Sequence, residues 1–225
     1  MAADATSGQD AARGAAAPDW ARIIRARLAG TQPRHAPEEW LMPGRFEPGA
    51  RPQLVREPLA AAVLMPLVER AELTVLFTQR ATQLRTHAGQ ISFPGGRIEP
   101  GDHDPRAAAL REAREEIGLD ERFVTVVGYL PDHVVITGFR ITPVVAFVQP
   151  GFELLLASEE VADTFEVPLS YLFDPANQRI GRRRSAATGA EVEFREIPFG
   201  KHTIWGATAG MLLTLYRLCT GQQSS

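Results

Sequence analysis

Apolar and polar positions along the 225-residue chain change their period several times, and each change predicts an element. In WARIIRARLAG, Trp20, Ile23, Ile24 and Leu28 recur at the spacing of one helix face, with Pro18-Asp19 as the entry and Gly30 as the stop. Prolines and glycines recur from Thr31 to Pro52, so an irregular segment laid over the domain is expected there. LAAAVLMPLV and LTVLFTQR are apolar, β-rich runs joined by ERAE, a pattern that predicts a hairpin of partly buried strands. Further strands are predicted at FVTVVGYL and ITPVVAFV, with PDHVVITGFR as the loop between them. A short turn or helix near SEEVADTF follows, then PLSYLF, then weaker strands at QRIGRRRS and EVEFREI. TIWGATAGMLLTLYRLC reads as a buried helix in which Gly206 and Gly210 permit close backbone approach. No internal repeat is present, and strands and helices intermingle, which favours an α/β sandwich around a mixed sheet. Residues 1–17 have nothing to bury and are expected to form a disordered tail, and residues 18–58 a helix with an irregular covering segment.

One further helix is predicted between Asp104-Pro105, an N-cap acceptor followed by proline, and Gly118. Ala109, Leu110, Ala113 and Ile117 share its packing face. Glu112, Glu115 and Glu116 cluster on the other face at spacings of three and four, which makes them neighbours. A run such as REAREE usually marks a solvated surface. Here the like-charge pairs cost about 0.2–0.5 kcal/mol each, and anions in the last turn are disfavoured by about 0.3–1 kcal/mol. Only Arg111 with Glu115 is an opposite-sign pair at helical spacing, and its order is the less favourable one. With no other compensation expected inside the chain, a cation from outside is implied. Hard oxygen donors without neighbouring histidine or cysteine point to Mg²⁺ or Mn²⁺ rather than zinc. Pro94-Gly95-Gly96 lies just upstream and can bring backbone, including the Gly95 carbonyl, close to that cation.

Composition narrows the field. Hydrophobic residues make up 44% and charged residues 23%, as in a globular protein, and the formal net charge of −3 gives no electrostatic case for nucleic-acid binding. The single cysteine, Cys219, excludes an intramolecular disulfide and a cysteine-based zinc site, and fits a reducing, cytoplasmic setting. The N-terminus lacks the basic and apolar regions of a secretory signal, and no apolar run is long enough to span a bilayer. His87, His133 and His202 are isolated along the chain and read as hydrogen-bonded loop residues, while His103 has no partner ligand nearby. Arg182-Arg183-Arg184 reads as a solvated loop.

The glutamate helix and its glycine loop together resemble the box of the Nudix hydrolases. A glycine, Gly96, is followed by an acid, Asp102, and then by Arg111-Glu112-Ala113-Arg114-Glu115-Glu116-Ile117-Gly118-Leu119. The first acid is Asp102 where glutamate is usual, and eight residues rather than seven separate it from Arg111. Both departures are features of the coenzyme A pyrophosphatase branch. Its upstream signature is matched by LFTQRATQLRTHAGQISFPGG, with Thr78, Arg80, Arg85, Gly89, Phe93, Pro94, Gly95 and Gly96 at the branch spacing and Phe77 where leucine is more usual. EEVADTFEVPLSYL and HTIWGATAGML are also similar to that branch, so the resemblance covers roughly Leu59 to Leu218.

The resemblance implies a Nudix-type α/β/α sandwich around a mixed β-sheet over residues 59–220. The implied reaction is metal-dependent hydrolysis of the diphosphate of coenzyme A or its thioesters. Glu112, Glu115 and Glu116 are then metal ligands with the Gly95 carbonyl as a fourth, and Arg111 holds Asp102. Glu160 is the candidate general base, with Glu112 or Glu116 as rivals. Arg80 and Arg85 are candidates to grip the phosphates, with Gly95 and Gly96 lining the substrate. A homodimer is compatible with the resemblance. Two alternatives stand beside it: a Nudix hydrolase of ADP-ribose or NADH, and a non-catalytic nucleotide-binding module. The complete set of three box glutamates speaks against the second.

Overall fold

The computed structural model describes residues 18–33, 45–46, 58–84, 87–135, 138–184 and 191–222. The expected tail, most of the 31–52 segment and Arg85 lie outside the described residues.

Asp19 accepts a hydrogen bond from the Arg22 amide and starts α1 (Trp20–Leu28), which buries Ile24 and Leu28 as the periodicity predicts. After the short β1 (Arg45–Phe46), the predicted hairpin forms from β2 (Leu59–Glu69) and β3 (Leu73–Arg80). The pieces β4 (Ile91–Ser92) and β5 (Gly95–Arg97) lead into α2 (Pro105–Ile117). Strands β6 (Val124–Tyr129) and β8 (Phe139–Val148) stand where expected, and the segment between them carries a further strand, β7 (His133–Val135). The region near SEEVADTF holds a turn at residues 158–160 and then a full strand, β9 (Val161–Pro168), rather than a helix. Its edge is claimed by β3, with which it pairs from Thr74 to Arg80, so tertiary pairing decides its state. The chain closes with α3 (Leu169–Phe173), β10 (Arg179–Arg184), β11 (Glu191–Phe199), β12 (His202–Trp205) and α4 (Gly206–Thr220).

Arg182 to Arg184, expected in a loop, therefore lie on a strand, where Arg182 pairs with Glu193 at 2.7 Å. The close approach expected at Gly206 is likewise absent. A Cβ there would meet nothing within 4 Å, and the residue's role is its φ of +63°, which turns β12 into α4.

The larger sheet runs β4-β3-β2-β8-β6, with β5 also on β2, β7 on β8 and β9 on β3. It is mixed, because β2 and β8 are parallel while the other pairs are antiparallel. Alternation along the central strands sends side chains to two cores. Met65, Leu67, Phe77 and Phe147 face Ile24 and Leu28 of α1 and Leu212 and Leu215 of α4. Ala62, Leu64, Leu76 and Val144 face Ala109, Ala113 and Ile117 of α2. The result is the predicted α/β/α sandwich. Trp20 packs edge-on against Phe173 at 4.9 Å, so α1 belongs to the helical layer over the sheet. A smaller sheet, β1-β11-β10 with β12 on β11, stands beside it.

His133 is a strand residue, 1% exposed, rather than a loop one. Its Nδ1 lies 3.2 Å from the Pro131 carbonyl, and burial pushes its pKa down to about 4. Because the unfolded imidazole titrates near 6.5, this residue leaves stability unchanged above that pH. It removes stability progressively as the pH falls toward 4, by on the order of 3 kcal/mol in total. Thermal unfolding of wild type and His133→Gln from pH 8 to 4.5 checks this. The variant is expected to lose less Tm below pH 6.5, and parallel curves would refute the assignment.

Candidate functional site

Helix α2 has the predicted ends: Asp104 accepts from the Ala107 amide at 2.8 Å, Pro105 is its first residue, and Gly118 closes it at φ +68°. Three alanines, Ala108, Ala109 and Ala113, allow it to lie close on the sheet. That closeness brings the glutamate face against the glycine loop. The loop is fixed by pairing of β5 with β2, where Gly95 meets Val63 and Gly96 meets Ala62.

Glu116 is 4% exposed, so the glutamate face is partly buried. Its carboxylate accepts from the Gly95 amide at 3.2 Å and lies 3.8 Å from a terminal nitrogen of Arg80. Burial dominates over both partners and pushes its pKa up to about 7. The Glu112 carboxylate sits over Gly96, where a Cβ would stand 2.5 Å from its Cδ, and burial also raises its pKa. Glu115 stays largely exposed at 59% of its side chain. Burial is the main cause of both shifts, and the charge of the exposed Glu160 adds the smallest share to each.

Arg111 organises the cluster. Its Nε and one terminal nitrogen donate to Asp102, both at 3.1 Å, and the same terminal nitrogen donates to the Arg97 carbonyl at 3.1 Å. The other terminal nitrogen donates to Glu112 at 3.0 Å and Glu115 at 2.9 Å. The guanidinium thus fastens the loop to the helix and holds the Asp102 carboxyl below its usual range.

The expectation that nothing inside the chain compensates the glutamates needs correction. Arg111 and Arg80 supply two positive charges, and the segment before β9 supplies dipoles. The Leu155 amide donates to the Ile117 carbonyl and the Ala157 amide to the Glu116 carbonyl, each at 2.9 Å. These bonds satisfy carbonyls that a helix end leaves open. Sequence reasoning missed this brace because backbone donors leave no side-chain pattern. The Glu160 carbonyl then accepts from Ala81 at 2.8 Å, tying the same segment to the end of β3.

The compensation is incomplete. Asp102, Glu112, Glu115 and Glu116 face two guanidiniums, so negative charge is in excess around a buried carboxylate. All donors are oxygens, which fits a hard divalent cation such as Mg²⁺ or Mn²⁺. Among the described residues, no three acidic or imidazole groups converge on one point. The reason is Arg111, which draws Glu112 and Glu115 to itself, so a cation would take these carboxylates over from the guanidinium. Arg80 brings a further asset, since its Nε is buried without a hydrogen-bond partner. A cavity of about 1110 Å³ on the outer side of α2, lined by Arg106, Leu110, Arg114 and Leu155, reaches this cluster only at Arg111 and Glu115.

Residues 58–187 match the NUDIX domain family. A protein of Citrobacter koseri named "Uncharacterized Nudix hydrolase NudL" is 41% identical over 175 residues, covering 73% of this chain and 86% of its own length. The Escherichia coli protein of the same name is 38% identical over 175 residues with the same coverage. Among solved structures, the Nudix hydrolase RenU of M. smegmatis is similar with a TM-score of 0.47 and 18% identity, over 76% of this chain and 89% of that one.

Proposed function

This chain belongs to the Nudix hydrolases, enzymes that act on phosphoric anhydrides and generally use divalent metals, and we propose that its anhydride is the diphosphate of coenzyme A or its thioesters. The products are 3′,5′-ADP and 4′-phosphopantetheine or its acyl form. One observation supports this substrate above the others. Arg80, from the segment that resembles the coenzyme A branch, presents a guanidinium 3.8 Å from Glu116, with its inner nitrogen buried and unpaired. A planar cation held there suits the oxygens of a diphosphate beside the acidic cluster.

Glu112, Glu115 and Glu116, with the Gly95 carbonyl, would hold Mg²⁺ or Mn²⁺. Bound there, such a cation would offset the charge of the diphosphate and polarise the phosphorus under attack. The chain's own groups do the rest. Arg80 binds phosphoryl oxygens and orients the anhydride. Glu160, exposed on the turn that leads into β9, accepts the proton of the attacking water. Arg111 touches no substrate and positions the loop through Asp102.

Mass spectrometry of products tests the substrate. The full chain is incubated with Mg²⁺ or Mn²⁺ and, separately, coenzyme A, acetyl-coenzyme A, ADP-ribose and NADH. Release of 3′,5′-ADP and phosphopantetheine is expected. Cleavage of ADP-ribose or NADH with coenzyme A left intact would refute the substrate and leave the family chemistry standing.

A further inference from the structure

We propose that Arg140 forms a second anion site, which binds a phosphate monoester that the substrate carries apart from its diphosphate. For the identity of that group, the ribose 3′-phosphate, the inference rests on the coenzyme A reading above.

Among the described residues, only two buried side-chain nitrogens or oxygens lack a hydrogen-bond partner: the Nε of Arg80 and the Nε of Arg140. The first stands at the glutamate cluster. The second lies 3.4 Å from Oδ2 of Asp132, a carboxylate 4% exposed whose other oxygen accepts from Thr142 at 2.8 Å. A carboxylate so buried is strongly disfavoured unless a cation faces it. Asp132 therefore anchors the inner edge of the guanidinium. The Arg140 side chain is 32% exposed, so its guanidinium, anchored at Nε, reaches the surface. A fork held from behind and open in front is a ready anion receptor.

Strand register places this fork near the reaction. Thr142 pairs with Ala62, and Ala62 with Gly96, whose missing Cβ points at the Glu112 carboxylate. Thr142 and Glu112 thus share one face of the sheet. Two strand spacings separate Thr142 from Gly96, about 10 Å. Arg140 lies two residues before Thr142 on that same face, beside Ala60. It stands near the start of β8, and Arg80 ends β3, which runs antiparallel to β2 while β8 runs parallel to it. Both arginines accordingly lie at one end of the sheet, on either side of β2. One suits the diphosphate, and the other an anion some ångströms away on the same molecule.

Metal-free titration calorimetry with adenosine 3′,5′-bisphosphate and with 5′-AMP separates the sites, using wild type, Arg140→Gln and Arg140→Lys. Wild type is expected to bind the bisphosphate more tightly than 5′-AMP. Arg140→Gln should weaken only the bisphosphate, by about ten- to a hundredfold, the span for losing a charged hydrogen bond, and Arg140→Lys should restore part of it. Steady-state kinetics should agree, with KM for coenzyme A raised in Arg140→Gln and that for dephospho-coenzyme A unmoved. Equal wild-type affinity for the two nucleotides, or an equal loss for both in the variant, would overturn the site. If Arg140→Gln does not fold, Arg140→Lys and wild type carry the same comparison. Turnover of coenzyme A without any effect of Arg140 refutes this inference and keeps the proposed function. Selective bisphosphate binding without turnover does the reverse.

Discussion

Glu116→Gln is expected to lower turnover by about 10²- to 10³-fold, the span for removing one charge-stabilising group from an active site, while stabilising the metal-free protein. Both effects follow from the burial of this carboxyl. Its folded pKa of about 7 lies above the ordinary value of 4.5, because desolvation outweighs the Gly95 amide and Arg80. The neutral acid is favoured in the fold, so the stability it contributes is complete below pH 4.5. That stability is lost as the pH rises through 7, by on the order of 3 kcal/mol. Glutamine keeps the shape and can still accept from the Gly95 amide, but it does not ionise. In chelator, the variant's Tm should match wild type near pH 5 and exceed it at pH 8. Added Mg²⁺ should raise the Tm of wild type at pH 8 and leave the variant nearly unmoved. A Tm difference that ignores both pH and Mg²⁺ would refute the role given to Glu116, whatever the activity shows.

Gly95→Ala should cost about 4 kcal/mol, combining a strained backbone with overpacking. Gly95 sits at φ +156°, and a Cβ there would overlap the Ala62 carbonyl and stand 2.6 Å from the Val63 Cα. Both neighbours are backbone of the central strand, so neither can give way without breaking the β5–β2 pairing. Gly96→Ala makes an instructive partner. The nearest atoms to its Cβ are those of the Glu112 carboxylate, the far end of a side chain that can swing aside. Denaturant unfolding should therefore separate the two, with Gly95→Ala well below wild type and Gly96→Ala within about 1 kcal/mol of it. Turnover should fall in both. Comparable stability losses would show that the loop does not sit against β2 as described.

Much of this site is legible in the sequence because its signals are local. Asp104, Pro105 and Gly118 state the ends of α2 in their own chemistry, and the three-and-four spacing of Glu112, Glu115 and Glu116 fixes their common side. The pairing of Arg111 with Asp102 is also read in advance, and it is observed at 3.1 Å. What is not legible depends on contacts distant in the chain. The burial of Glu116 comes from Gly95 and Arg80, 21 and 36 residues upstream. The strand state of β9 depends on the free edge of β3, and no propensity in VADTFEVP announces that edge. Asp132 and Arg140 look unremarkable in the sequence, because only the pairing of β7 with β8 brings them together.

The position of α1 bears on how the chain folds as it is made. This helix, with Ile24 and Leu28 in the core, is made well before α4, yet it packs beside Leu212 and Leu215 of that helix. The Leu28 turn also closes over Gly128, and Thr31 accepts a bond from the Tyr129 amide at 2.9 Å. One apolar face of the central sheet, including Met65, Leu67 and Phe147, therefore stays open until both α1 and α4 are available. Pairings of such long sequence separation are slow to form and leave apolar surface exposed meanwhile. The layer that holds α2 draws its core from residues 62 to 161, whereas the opposite layer also needs α1 and α4.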